Sequence, residues 1–362
     1  MTNALVLGGG LAGSAAAIML ARSGRSVTLI ERESGPHHKT CGEFLSIEAR
    51  DHLETLGIDP LALGGTPIDR VELASGRRLV RARLPFTALG LSRYRLDEAL
   101  LEGAAHAGVD VCRGVRVGSM DGHRVSTSAG EREARAILLA TGKHRIRGDR
   151  TEADGGADPF VGFKMHFRMT PGACRELAGT IRLVLFGGGY AGLQPVEDGT
   201  ANLCLVIRKD SLGELGGSWD KVLAMLDRLP HCGDLLRDAE PLIDRPATIA
   251  NLAYGIAPPP AMTEGLYPLG DRACMTASLT GDGMALALRS GFVAAACIAQ
   301  GGSVRDYHQR HAREVHGQVR RAMALQHVQE SPLLRVAGLG LLSAFPGLLR
   351  QLAQATRLRR WA

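Results

Sequence analysis

Gly8, Gly10 and Gly13 form a GxGxxG spacing between a short apolar run, Ala4 to Leu7, and an Ala-rich stretch with helical spacing, Leu11 to Arg22. Glycines so placed permit a tight strand-to-helix turn and let backbone amides approach a pyrophosphate, whose charge is favoured at a helix N-terminus. About 20 residues on, where such sites carry an acid, Ser26 to Glu31 reads as a second buried strand, and Glu31 is placed to accept from adenosine ribose hydroxyls. The pattern points to a bound dinucleotide; the alternative is glycines that serve only close helix–strand packing. A second segment, GDRACMTASLTGDGMALALRSG from Gly270, sets Asp271 after a strand and Gly281 and Gly283 before an apolar helix, Met284 to Ala299. An Asp there can accept from a ribityl hydroxyl, and amides near Gly283 and Met284 can donate to the electron-rich pyrimidine end of an isoalloxazine. NAD needs no second clamp, so the two segments together point to FAD. The plainer alternative is a helix cap and a Gly-rich turn.

These residues need elements to hold them. The opening reads as a βαβ unit, Arg93 to Ala107 as an amphipathic helix, Val109 to Cys112 and Arg116 to Val125 as short strands, and Ala136 to Ala140 as a buried parallel strand. Strands alternating with helices argue for a mainly parallel sheet. From about residue 150 to 254 the texture changes: glycine and acidic turns separate Val161 to Arg168, Ile181 to Phe186 and Asn202 to Ile207, which suggests an antiparallel sheet with one wet face. The expected fold class is therefore α/β (α+β overall). It comprises a discontinuous Rossmann-type domain at 1–150 and 255–318, an inserted, mainly antiparallel substrate-binding β domain at 151–254, and a basic, apolar helical tail at 319–362.

The 362 residues are 45% hydrophobic and 22% charged, enough for a large core, and 43 Lys plus Arg against 37 Asp plus Glu leave a net charge of +6. All of that excess sits in the last 44 residues, with seven arginines against Glu330. A neutral body with 4% aromatics lacks the field and stacking residues of a general nucleic-acid binder, so no nucleic-acid partner is expected. Seven dispersed cysteines without a CxxC pair fit reduced thiols, and the N-terminus shows neither a basic n-region nor a cleavage site, so a cytoplasmic location is expected. No GxSxG elbow or GxxxxGK[ST] loop occurs. His37, His38 and Cys41 lack an apparent fourth ligand, so no metal site is expected, and a solvated face is expected for His308 and His311.

The chain resembles the FAD oxidoreductases that include the geranylgeranyl reductases and, more distantly, the aromatic-ring flavin hydroxylases and flavin halogenases. Four stretches across about 290 residues carry the likeness: the N-terminal fingerprint, KTCGEFLS at Lys39 to Ser46, SRYRLDEALLEGA at Ser92 to Ala104, and the Gly270 segment, close to the reductases' GDAAGxxxPLTGEG. The resemblance implies that Ala12, Glu31, Arg93 and Val117 contact FAD, that Cys41 and Gly42 lie beside the flavin ring, and that Asp271, Gly283 and Met284 hold it. GGYAGLQP at Gly188 to Pro195 is similar to the GGYxWxFP strand of the reductases' lipid pocket, which makes Tyr190 and Gln194 candidate substrate contacts. Ser278 replaces the usual proline, Gly192 and Gln194 replace the pocket Trp and Phe, and Thr141 stands where hydroxylases carry an acid. No WxWxIP segment of the halogenases is present.

Cys41 is open to three readings: an inert buried residue, a thiol that tunes reduced flavin, or a catalytic nucleophile or redox partner. The expected chemistry is hydride transfer from NAD(P)H, a transient visitor without its own Rossmann fingerprint, to FAD, and then to a hydrophobic small molecule. Reduction of a C=C bond comes first, hydroxylation of an aromatic or polyketide-like ring second, and a non-catalytic flavin or lipid carrier third. In the tail, Leu341, Leu342, Phe345, Leu348, Leu349 and Leu352 fall at helical spacing in a run too short and too broken by Pro346 to span a bilayer. The tail either packs on the body or makes peripheral contact with a membrane.

Overall fold

The computed structural model describes residues 2–144, 146–148, 159–250, 252, 254–256 and 263–358. The strand β1 (Thr2–Leu7) is buried from Ala4 to Leu7, as a central parallel strand requires. It pairs in parallel with β2 (Val27–Glu31) on one side and with Gly130–Leu139 on the other. Asp110–Arg113 continues the sheet beyond β2, and Leu266–Pro268 pairs with Gly130–Leu139, both in parallel. Helix α1 (Leu11–Arg22) is the crossover from β1 to β2. Residues 130–133 instead pair antiparallel with Arg124–Thr127, which pairs in turn with Val117–Asp121. Arg116 to Val125, read in the sequence as one strand, is therefore a hairpin arm and its return, turned at Gly122 with φ +56°.

The two helices that follow the two glycine turns, α1 and Gly283–Ala299, pack together on one face of this sheet. A Cβ at Gly291 would lie 2.5 Å from the Ala12 carbonyl oxygen and 3.0 Å from the Ala16 nitrogen, so only glycine allows the approach. The helices Arg93–His106 and Val304–Glu330 complete this core with Leu96, Leu100, Tyr307 and Val315.

A second sheet, with nine strands among the described residues, runs in the order Glu240–Pro241, Phe160–Arg168, Thr200–Arg208, Gly189–Pro195, Thr180–Phe186, Thr66–Ser75, Arg78–Gly90 and Phe44–Leu45, with Ala247–Ala250 also on Phe160–Arg168. Its pairings are antiparallel except that of Thr180–Phe186 with Thr66–Ser75. The sheet thus draws on 66–90, which the division at residue 150 assigns to the first domain. Charges at Glu72, Arg81 and Arg182 mask the strand pattern there; Glu72 is buried because it pairs with Arg81 at 2.8 Å and Arg182 at 2.7 Å. Side chains alternate cleanly across the sheet. Val161, Phe163, Leu203, Leu205 and Ala191 pack on short helices such as Trp219–Arg228, while Gly162, Lys164, His166, Cys204, Gly192 and Gln194 face the first domain.

The tail folds back as the helices Pro332–Ala344 and Gly347–Ala355, with Leu339, Leu342 and Leu349 buried on the strands of 66–90. His308 and His311 do not form a solvated pair. His308 is half-buried, and His311 is buried and stacks on Tyr307 at 5.8 Å because their helix turns this face to the core.

Burial lowers the His311 pKa to about 4, and burial together with the Arg289 charge lowers that of His52 to about 4. Both rings are neutral when folded and titrate near 6.5 when unfolded. Their contribution is thus fully present above pH 6.5 and lost as pH falls towards 4. Urea midpoints should decline over that window, and His311→Phe should flatten the decline; an unchanged pH slope in the variant contradicts the assignment.

Candidate active site

Between β1 and α1 the chain turns at Gly8, with φ +108°, and a Cβ at Gly13 would sit 1.9 Å from the Gly8 carbonyl oxygen, so the helix can start only over glycine. Gly10 caps α1 without any side-chain bond to its first amides, which leaves these donors for an anion. Glu31 is buried, with Oε2 accepting from the Gly9 amide at 2.7 Å and Oε1 from the Glu33 amide at 3.0 Å; each oxygen retains capacity for a ribose hydroxyl. Val117 lies two residues past Val115, whose amide donates to the Glu31 carbonyl at 3.0 Å, which places it near Glu31.

Two cations face the glycine turn. Arg93 Nη2 and Lys39 Nζ lie 3.4 and 3.6 Å from the position of a Gly10 Cβ, and both are held by Asp97, at 2.6 Å to Arg93 Nε and 2.7 Å to Lys39 Nζ. Burial alone raises the Asp97 pKa, but the Arg93 and Lys39 charges outweigh it and keep the carboxylate ionised. Free helix amides, two cations and a doubly anchored acid fit a dinucleotide's pyrophosphate and ribose.

The second glycine segment lands on the first. A Cβ at Gly270 would lie 3.3 Å from the Ala12 Cβ, and the Gly270 amide donates to Ser290 Oγ at 2.8 Å. Asp271 is exposed and 3.4 Å from Lys143 Nζ. The helix Gly283–Ala299 starts without a side-chain cap, space around Gly283 is open, and Met284 is buried behind it. Asp282, fully buried at the cap position, is paired with Arg357 from the tail at 2.7 Å.

The loop of Cys41 and Gly42 and the Gly281 turn face the second sheet across a cleft with about 640 Å³ of space between the lining atoms, its open side included. Cys41, Gly42, Tyr190, Gln194, Cys204 and Leu279 line it, which brings Cys41 and Gly42 together with Tyr190 and Gln194, while Asp271, Gly283 and Met284 are not among its lining residues. Tyr190 is buried. Gln194 Nε2 donates to the Glu43 carbonyl at 2.7 Å, which leaves its Oε1 without a partner among the described residues. Gly192 and Ser278, two of the departures from the reductase pattern, also line the cleft. Burial pushes the Cys41 thiol up, with Arg93 offsetting this in part, so Cys41 is a protonated thiol and not an activated nucleophile.

Behind that loop stands a buried network that sequence patterning did not single out. Glu43 is fully buried at φ +58°, a region few non-glycine residues occupy. Lys164 Nζ donates to its Oε1 at 2.6 Å, the Arg93 amide to the same oxygen at 2.8 Å, and His166 Nε2 to Oε2 at 2.6 Å. Burial raises the Glu43 pKa, yet His166 and Lys164 together hold it below the usual carboxylate range. Lys164 also donates to His38 Nδ1 at 3.3 Å; burial and the Lys164 charge lower the His38 pKa to about 4, which makes it a neutral ring beside a cation. Asn202 Nδ2 donates to the carbonyls of Cys41 and Gly42 at 3.1 and 2.9 Å. The available signal was two polar residues spaced by two, in the otherwise apolar GFKMHF strand.

Removing one partner of a buried ion pair costs about 3–5 kcal/mol. Lys164→Met should therefore lower unfolding free energy by about that amount, with Lys164→Met/Glu43→Gln recovering part of it; strict additivity in this double-mutant cycle would rule out the coupling.

Comparison with known proteins agrees with this geometry. The chain is 28% identical over 349 residues to the probable electron transfer flavoprotein-quinone oxidoreductase YdiS of Escherichia coli, covering 82% of this chain and 76% of that protein. It is 25% identical over 372 residues to the E. coli protein FixC, covering 91% and 82%, and 25% identical over 349 residues to a Mycolicibacterium smegmatis menaquinone reductase, covering 84% and 78%. Among solved structures, the flavin-dependent brominase Bmp2 superposes with a TM-score of 0.77 at 20% identity over 98% of this chain and 93% of that one. A Cytophaga hutchinsonii flavoprotein/dehydrogenase gives 0.74 at 21% identity over 92% and 87%. Residues 2–195, more than half of the chain, match the pyridine nucleotide-disulphide oxidoreductase family, and the chain belongs to that family as an FAD-dependent oxidoreductase.

Proposed function

We propose that this oxidoreductase uses NAD(P)H to reduce a C=C bond of a hydrophobic, lipid- or polyketide-like small molecule, and that it is related to the geranylgeranyl reductases. The observation that carries this reading is the cleft, where Ile181, Leu183, Val206 and Ile249 of the second sheet, beside Tyr190 and Gln194, meet the Cys41–Gly42 loop and the Gly281 turn. Relatives named for quinone and menaquinone support a reductive reaction on a lipid-like acceptor. Bound FAD supplies the hydride chemistry, taking two electrons from the nicotinamide and passing them to the substrate.

In this reading the first sheet and its helices bind FAD. Gly8, Gly10, Ala12, Gly13 and Arg93 hold the pyrophosphate, Glu31 and Val117 the adenosine, Asp271 the ribityl chain, and Cys41, Gly42, Gly283 and Met284 the ring. The second sheet binds substrate, with Tyr190 and Gln194 on its face. Hydride addition to C=C leaves an electron pair on the other carbon that must take a proton. Cys41 Sγ, protonated and facing the cleft, is the group placed to give it, and solvent restores it. Gly192 and Ser278 widen the substrate side relative to the reductase pattern, which favours an acceptor other than a plain prenyl chain.

Asp271→Ala should weaken FAD binding about tenfold or more, as loss of a charge-assisted hydrogen bond does, read by flavin fluorescence titration. Under anaerobic conditions, with isoprenoid, quinone and polyketide acceptors, substrate-stimulated NAD(P)H oxidation should yield a product gaining two hydrogens. Label from oxygen gas in the product would replace this reading with hydroxylation, and no stimulation by any acceptor would leave a carrier. Cys41→Ala should slow product formation while flavin reduction by NAD(P)H proceeds as before; equal slowing of both steps would deny Cys41 the proton role.

A further inference from the structure

The helices Pro332–Ala344 and Gly347–Ala355 meet at an angle of 118° around Phe345 and Pro346. Their inner side is packed, but their outer side is not: Leu333 is 84% exposed, Val336 62%, Phe345 61% and Leu341 53%. With Leu334 and Leu352, this short segment holds six of the nine large apolar side chains exposed among the described residues. Isolated exposed leucines are ordinary, but a concentration of this kind marks a contact surface.

Charge indicates what the surface contacts. From Ser331 to the end of the sequence there is no Asp or Glu. Arg335 is used internally, donating to the Phe186 carbonyl at 2.9 Å, and Arg357 is used by Asp282. Arg350 is exposed on the second helix, and the exposed Arg78 of the neighbouring hairpin reaches within 3.7 Å of the position of a Gly340 Cβ. An apolar centre flanked by cations, on a segment that carries no acid of its own after Glu330, complements a surface that is apolar within and anionic at its boundary. Among the described residues no single helix is long and apolar enough to cross a membrane. The longer of the two, at 13 residues, measures about 20 Å against a hydrocarbon core of about 30 Å.

We propose that this bent helix pair docks in the plane of an anionic lipid bilayer, with Leu333, Val336, Leu341 and Phe345 entering the acyl boundary and Arg78 and Arg350 against headgroup phosphates. The inner side of the same pair packs on the strand Arg78–Gly90 and belongs to one buried cluster with Phe44, Ile181 and Leu183, which also line the cleft. Docking therefore holds at the lipid the sheet whose residues also line the cleft. The contact is separate from the redox reading and is measured without turnover.

Flotation of the full chain with vesicles of phosphatidylcholine alone, or containing one-third phosphatidylglycerol, tests it. The wild type should bind the anionic vesicles at least about tenfold more tightly than the neutral ones, and high salt should weaken that binding. Leu341→Ser/Phe345→Ser should abolish flotation, and Arg78→Gln/Arg350→Gln should remove the preference for anionic lipid, both with unchanged unfolding midpoints. Absence of wild-type flotation, or flotation of the serine variant equal to wild type, overturns the proposal. So does a sedimentation result in which the wild type is a dimer and the serine variant a monomer, because the patch is then an interface between copies.

Discussion

The carboxylate of Glu43 joins the two halves of this molecule. Its residue belongs to the loop that carries Cys41 and Gly42, while two of its partners, Lys164 and His166, stand on the second sheet. Every polar atom of the residue is engaged: the amide donates to Cys41 Sγ at 3.4 Å, and the carbonyl accepts from Gln194 and from the Leu91 amide at 3.2 Å. A buried charge of this kind is tolerable only when fully met, and once met it admits one arrangement. Loop and sheet are thereby held in register, and the width of the cleft between them follows from it.

The opposite end of the site uses charge in another way. Asp97 holds Arg93 and Lys39 at the glycine turn, where both face the position of a Gly10 Cβ. Arg93 serves both ends, since its amide binds Glu43 while its guanidinium faces Gly10. The adenosine-side turn and the cleft-side loop are therefore mechanically continuous through the start of a single helix, Arg93–His106.

What the sequence makes legible is what depends on local backbone constraint. Gly8, Gly10 and Gly13, the acid at Glu31, and the pairing of a first glycine turn with a second at Gly281 and Gly283 are readable because a tight turn admits few residue types. Parallel strands buried on both faces announce themselves by unbroken apolar runs such as Ala4 to Leu7. Partnerships across the fold are not readable in this way. Lys164 and His166 look like the wet face of a strand until Glu43 is placed opposite them. Thr66–Ser75 and Arg78–Gly90 are hidden for the same reason, because Glu72 and the arginines around it become compatible with burial only through one another. The tail was readable in composition but not in orientation, since helical spacing alone does not divide Leu342 and Leu349, which pack, from Leu341 and Phe345, which do not.

The parallel pairing of Thr180–Phe186 with Thr66–Ser75 has a consequence for how the chain is made. The hairpin of 66–90 waits, as it leaves the ribosome, for a partner more than a hundred residues behind it. The first sheet waits still longer, for Leu266–Pro268 and then for the helix whose Gly291 fits against α1. Neither half can close early, so both present open strand edges through most of synthesis. The architecture that lets two distant glycine turns meet at one site also leaves strand edges of both sheets without their native partners until the last third of the chain has emerged.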